Sequence, residues 1–225
     1  MKVLSVNVGR PRPNPWKGIN STGIDKRPVE GPVAVAAPGP KGDGTVGLAG
    51  DRVHDVQNHG GTDQAVYAYA REDLDGWAAE LGLTLRNGVF GENLTTEGIA
   101  VNEALIGERW RIGAHLLLEV SCPRIPCGTF QGWMGRRGWV KRFTQAALPG
   151  AFLRVIEPGD VQAGDPIEIV ARPDHDVTVA MTFRGLMLEP DLAPRLLAAT
   201  ALPADTLADL RDISARLTSR ATPAP

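Results

Sequence analysis

The chain has 225 residues, 43% hydrophobic and 22% charged, with a formal net charge of −2. That balance fits one large soluble domain, or one domain with a small appendage, and lacks the basic excess of a nucleic-acid binder. No apolar run approaches the roughly 20 residues of a membrane span.

The N-terminal "MKVLSVNVGR" is too short in its apolar part, and too polar after it, to act as an export signal. With only two cysteines, the expected compartment is a reducing cytoplasm, and no membrane partner is expected. Glycine (26) and proline (18) are scattered as turn punctuation, which favours many short strands.

In chain order, "VLSVNV" (3–8) alternates, with Leu4, Val6 and Val8 on one face, and predicts a half-buried strand. "NSTGIDKRPVEGP" (20–32) reads as a solvated loop in which Ser21, Thr22 and Lys26 could hold an anion. "VAVAA" (33–37) predicts a strand. "GDGTVG" (Gly42, Gly44, Gly47) spells a dinucleotide pattern, but no helical stripe follows and Pro38 and Pro40 stand upstream, so it reads as a surface turn. The chain therefore shows no nicotinamide or flavin fingerprint, and no iron–sulfur cysteine set, to relay electrons.

"GDRVHDVQNHGGTDQAVYAY" (50–69) is a polar loop that runs into a strand at 64–70. Gly60-Gly61 after His59 lets backbone N–H groups approach an anion; the bland alternative is a tight turn capped by His59 and Asp63. "REDLDGWAAELG" (71–82) predicts a helix, with Leu74, Trp77, Ala78 and Leu81 on one face and Gly82 as its stop. "GVFGENLTTEGI" (88–99) reads as a glycine-framed loop offering Asn93, Thr95 and Thr96 as donors.

Strands are predicted at 108–113 and 115–121, joined by a Gly113-Ala114 turn. A helix follows within 138–150, with Trp139, Val140, Phe143 and Ala147 inward. Strands at 152–157 and 166–171 flank a turn cluster at 158–165. This spacing suggests a barrel or sandwich.

After "ARPDHD" (171–176) the apolar spacing turns helical, with helices expected at about 177–187, 191–200 and 205–217. The plan is a β-rich body over 1–172, a three-helix unit over 173–217, and a frayed tail over 218–225. Seven acids against four arginines give the helical unit a net charge of −3, the wrong sign for phosphate binding. It reads as a packing or oligomerisation element, a homodimer being one arrangement it allows.

Both cysteines stand in "EVSCPRIPCGTF" (119–130). Five extended residues span about 16 Å, too far for a disulfide between Cys122 and Cys127. Their spacing, with His54 and His59, falls within the loose range for zinc, but the prolines oppose a tight knuckle. Cys122, at a strand end, reads as a core sulfur. Cys127 sits between Pro126 and Gly128, with Arg124 three residues back, a setting that favours the thiolate and a soft metal. A hydrolase pairing of this thiol with His59 lacks any nucleophile motif.

Four stretches, "TGIDKRPVEG", "GDRVHDVQNHGGTDQAVYAY", "GVFGENLTTEGI" and "SCPRIPCGTF", stand in the order found in MOSC domains, named for the molybdenum cofactor sulfurase C-terminus. The chain resembles that family over nearly its whole length, and its helical tail resembles the YiiM-like branch.

The resemblance implies a mainly β, barrel-type core with a few interrupting helices. It implies a molybdopterin-type molybdenum cofactor held around Lys26, His59, Gly60, Gly61, Asn93, Thr95 and Arg124, with Cys127 as metal ligand. It also implies reduction of N-hydroxylated small molecules, hydroxylamino purines among them; because the sequence encodes no electron relay, a separate reductase is expected to supply the electrons. Lys26 and Arg124 would neutralise the cofactor phosphate, and His59, Asp51 or Asp55 would protonate the departing oxygen. The alternative is a non-catalytic carrier of cofactor or sulfur; a zinc-stabilised regulatory protein is a further one. The "GTFQGW" that follows Cys127 is a departure that bears on the pocket.

Overall fold

A computed structural model describes residues 1–221. Ten strands form: β1 (Lys2–Pro13), β2 (Ser21–Pro28), β3 (Val33–Val35), β4 (Val66–Ala70), β5 (Leu94–Glu97), β6 (Arg109–Ile112), β7 (Leu116–Pro123), β8 (Ala151–Glu157), β9 (Gly159–Val161) and β10 (Ile167–Ala171). Eight of them make one sheet in the order β10-β6-β7-β8-β4-β5-β1-β2, and β3 pairs with β9 apart from it. All pairings are antiparallel except β4 with β5. Between those two runs helix α1 (Arg71–Leu81), the crossover that a parallel pair requires.

The expected barrel takes the form of a curled sheet in which the start of β1 is hydrogen-bonded to residues 164–167 across the seam. Lys2 bridges Pro166, just before β10, and the Ile167 N–H donates to the Met1 carbonyl. β1 also departs from simple alternation. A register shift between Val3 and Ser5 lets Val3 and Val6 both reach the core, while Leu4 and Val8 are only half-buried.

Two stretches expected to be loops are strands, β2 and β5. "GTFQGWM" forms helix α2 (Gly128–Met134), followed by α3 (Trp139–Ala146). The C-terminal helices are α4 (Val179–Met187), α5 (Ala193–Leu196) and α6 (Ala204–Ala221). The helix expected over 191–200 shrinks to a 3₁₀ turn and one α turn around Pro194. α6 runs past the predicted stop at 217, and the rest of the predicted tail lies outside the described residues. Among the described residues no helix is long and apolar enough to cross a membrane.

Two apolar clusters organise the molecule. One joins the sheet to the C-terminal helices and includes Val6, Trp110, Leu118, Leu153, Val179 and Leu210. The other is largely aromatic: Tyr67, Tyr69, Leu74, Trp77, Leu85, Phe90, Phe130, Trp139 and Phe143, beneath α1, α2 and α3. Phe90 sits among its rings, edge-on to Phe130 at 5.3 Å and to Tyr69 at 5.1 Å. Such pairs add about 0.5–1.5 kcal/mol each beyond area burial. This cluster anchors α2, a helix too short and glycine-rich to stand alone.

Candidate functional site

Cys127 is the residue from which α2 starts, with φ −126° and ψ 170°. The aromatic cluster below fixes the helix, and a side strap fixes its outer face. In that strap, between β1 and β2, the Asn14 Nδ2 donates to Thr129 Oγ1 at 3.2 Å. A Cβ on Gly132 would meet the Trp16 ring at 2.1 Å, so only glycine lets the indole lie on the helix. Lys17 Nζ pairs with Asp55 at 2.5 Å, tying the strap to the loop that carries His59.

Inside this frame is a cleft lined by Lys26, Asp51, His59, Gly60, Asn93, Arg124 and Cys127. Seven of the residues singled out from sequence thus converge. The Arg124 guanidinium lies 3.6 Å from the Phe130 ring centroid and 5.5 Å from that of Tyr67, and the residue is 8% exposed. Among the described residues it makes no salt bridge, and its Nη1 is buried without a hydrogen-bond partner.

Burial works to raise the Cys127 pKa, but a hydrogen bond from the His59 side chain and the Arg124 charge outweigh it and bring the thiol down to about 7. Cys122 is the opposite case: packed in the sheet cluster, it is pushed by burial up to about 12. Both cysteines are free. Cofactor-free protein is therefore expected to react with iodoacetamide at Cys127 alone. The rate should rise with pH through a midpoint near 7, and peptide mapping checks it. His59→Gln is expected to move that midpoint upward.

The other polar residues are committed to one another. Lys26 Nζ lies 2.5 Å from Asp51 Oδ2, with both side chains buried. Asp51 also accepts from the Gly9 N–H at 2.7 Å and from Asn93 Nδ2 at 2.8 Å, and Asn93 Oδ1 accepts from the Tyr67 N–H at 3.1 Å. Burial tends to raise the Asp51 pKa, but the Lys26 charge and the hydrogen bonds from Lys26, Asn93 and the Arg52 backbone outweigh it and hold the carboxyl below its ordinary range. Asp51 is thus a structural carboxylate, ill suited to the proton-donor role expected of it. Asp55 is likewise held low: burial is outweighed by its bonds from Lys17 and Asn58. Lys26 is already neutralised and is not a spare cation.

Two of the residues expected around the cofactor do not line the cleft. Thr95 is fully buried in β5 and does not line the cleft; its hydroxyl donates to Glu92 at 3.0 Å and accepts from Asn7 at 3.1 Å. Gly61, next to the cleft-lining Gly60, is packed against Lys41. With φ +79°, a Cβ there would meet the Lys41 backbone N at 2.7 Å. Gly61→Ala is expected to cost about 1–3 kcal/mol, read in urea unfolding.

Sequence reasoning passed over Gln64 and weighed His54 only for zinc, yet both line the cleft. Among the described residues no group of three or more His, Cys, Asp or Glu could hold a metal, and Cys122 and Cys127 lie in different environments. That removes the zinc geometry.

A single activated thiol and the buried Arg124 guanidinium meet in one cleft of a curled, mainly β framework. The chain belongs to the MOSC domain family, whose model matches residues 55–168. It is 34% identical to Protein YiiM of Escherichia coli over 163 residues, covering 70% of this chain and 72% of that one. It is 31% identical over 174 residues to a Gibberella moniliformis protein named Reductase, covering 76% of this chain but 29% of that protein's length. The crystal structure of YiiM from Geobacillus stearothermophilus superposes with a TM-score of 0.75 at 26% identity, covering 94% of this chain and 98% of that one.

Proposed function

We propose that the cleft holds a molybdenum cofactor through the Cys127 thiolate and that the chain reduces N-hydroxylated small molecules to amines. The observation that carries this reading is the Cys127 thiol, brought down to about 7 beside the buried, unpartnered Arg124 Nη1. The residues fit the group. One soft thiolate suits molybdenum, and arginines without a carboxylate partner among the described residues, Arg124 and Arg52, suit the cofactor's anionic part. Family membership supports the same reading.

When bound, the cofactor supplies a two-electron couple suited to removing oxygen from an N–OH group. The overall change consumes two electrons and two protons and releases the amine and water. Cys127 presents the thiolate, Arg124 balances charge, and the Lys26–Asp51–Asn93 set fixes the cleft wall. His59 delivers the proton to the departing oxygen, because Asp51 and Asp55 are both held as carboxylates. The electrons come from a separate reductase, since the sequence carries no relay of its own.

The test is protein made in a molybdenum-competent host. We expect molybdenum bound in proportion to chain, single-turnover reduction of 6-hydroxylaminopurine after chemical reduction, and no turnover with NADH or NADPH alone. Zinc in place of molybdenum would sink the reading. Bound molybdenum without single-turnover reduction would leave a carrier.

A further inference from the structure

The charges of this chain are unevenly placed. No acidic residue precedes Asp25, and none lies between Glu119 and Glu157, a stretch that carries six arginines and lysines. Folding brings the two acid-free stretches into contact. The Arg12 guanidinium lies 5.9 Å from the Trp133 ring centroid, and the Trp16 indole lies against Gly132, so the end of the β1–β2 hairpin rests on α2. The hairpin contributes Arg10, Arg12 and Lys17; the turn after α2 and the start of α3 contribute Arg136, Arg137 and Lys141.

Little on this side cancels that charge. Among the described residues Arg10, Arg136, Arg137 and Lys141 form no ion pair. Asp25 is fully buried and shared by three guanidiniums, from Arg12, Arg27 and Arg86. Asp55 meets Lys17, and Glu80 meets Arg142. A chain whose net charge is −2 gains no solubility from such a concentration of one sign. The face is also aromatic: Trp16 is 41% exposed, and Trp133 is half-buried beneath Arg12. Exposed tryptophan among arginines, with acids depleted, is the composition of a protein-binding surface.

The same two elements form walls of the cleft, through Asn14 and Ser21 from the hairpin side and Cys127 and Thr129 from α2. We infer that this basic face is the docking surface of a small acidic electron-transfer protein, seated against the walls of the Cys127 cleft. Its purpose rests on the proposed function, in which a separate protein supplies two electrons per N–OH group reduced; its binding does not.

Flavodoxin and a plant-type ferredoxin, both acidic, serve as probes against the full chain. Cofactor-free wild type should bind them at about 0.02 M salt and lose most of that affinity at about 0.2 M, where charges are better screened. Arg10→Glu/Arg137→Glu, one exposed position from each element, should bind about tenfold more weakly at low salt. Arg211→Glu/Arg216→Glu changes net charge equally on α6 and should bind like wild type. In molybdenum-loaded protein the face variant should lose turnover driven by the reduced probe and keep single-turnover reduction of 6-hydroxylaminopurine by dithionite. Failure of that dithionite reaction in wild type counts against the proposed function and leaves the binding result standing. The docking inference is overturned if neither probe binds wild type, if the face variant binds as tightly as wild type, or if the α6 variant loses as much affinity. It is overturned equally if wild type binds phosphatidylglycerol vesicles and neither probe, which would make the face a membrane contact.

Discussion

Cys127→Ala is expected to abolish molybdenum retention and reduction of 6-hydroxylaminopurine while leaving the fold intact. The sulfur contributes little to either apolar cluster: Cys127 is half-buried and only packs against the edge of the aromatic one. The helix it begins is held elsewhere, by Phe130 below and Trp16 above. The melting temperature should therefore stay within a few degrees of wild type, the range of a change well under about 1 kcal/mol in a chain of this size. Metal analysis and a single-turnover assay on the same sample give the answer. A variant that keeps molybdenum and reduces the purine at the wild-type rate would refute the proposed role of the thiolate.

Asp51→Ala is expected to be the more damaging change to stability. It leaves the Lys26 ammonium buried with its partner gone, and it strips an acceptor from the Gly9 N–H and from Asn93. Breaking a buried pair from one side costs roughly 3–5 kcal/mol. Urea unfolding should show this as a lower midpoint at unchanged slope. Adding Lys26→Met should restore part of the loss, because the stranded charge is then removed. If Asp51→Ala unfolds like wild type, the pair contributes nothing and the cleft wall is held otherwise.

The pH dependence follows from the same pair. The folded-state pKa of Asp51 lies below its unfolded value. Its contribution is therefore complete above the ordinary carboxylate range near 3.9 and is lost as pH falls through the depressed folded value. Wild type should lose more stability than Asp51→Ala over that acid interval.

Local pattern made much of this fold legible. Leu74 and Trp77 point inward from α1, and Gly82 ends it in the left-handed conformation with its N–H bonded to the Ala78 and Ala79 carbonyls. The β6–β7 hairpin, α3 and β8 fall where alternation and helical spacing put them. What stayed hidden depends on distant partners. β2 reads as a loop because its residues are polar, but Asp25 is fully buried by guanidiniums from Arg12, Arg27 and Arg86, the last of them far along the chain. β5 reads as a loop for the same reason; Thr95 is buried in a network with Glu92, Asn7 and Ser5. α2 has weak helical propensity and exists through its packing.

The candidate site divides the same way. Cys127 and Arg124 stand close in sequence, so their coupling can be read directly. The Lys26–Asp51 pair cannot, and assigning Lys26 to a phosphate overlooked a carboxylate that reaches it only after folding. His54 and Gln64 offer no local signature at all.

The division into two apolar clusters has a spectroscopic consequence. Both tyrosines and two of the five tryptophans, Trp77 and Trp139, lie in the cluster under α2, whereas Trp110 is the one tryptophan in the cluster beneath the sheet. Near-ultraviolet circular dichroism of this protein is thus weighted toward the half that carries the thiol. Its far-ultraviolet signal comes from strands and helices of both halves, so loss of the near-ultraviolet band with the far-ultraviolet band kept marks loosened packing at the cleft without loss of the framework.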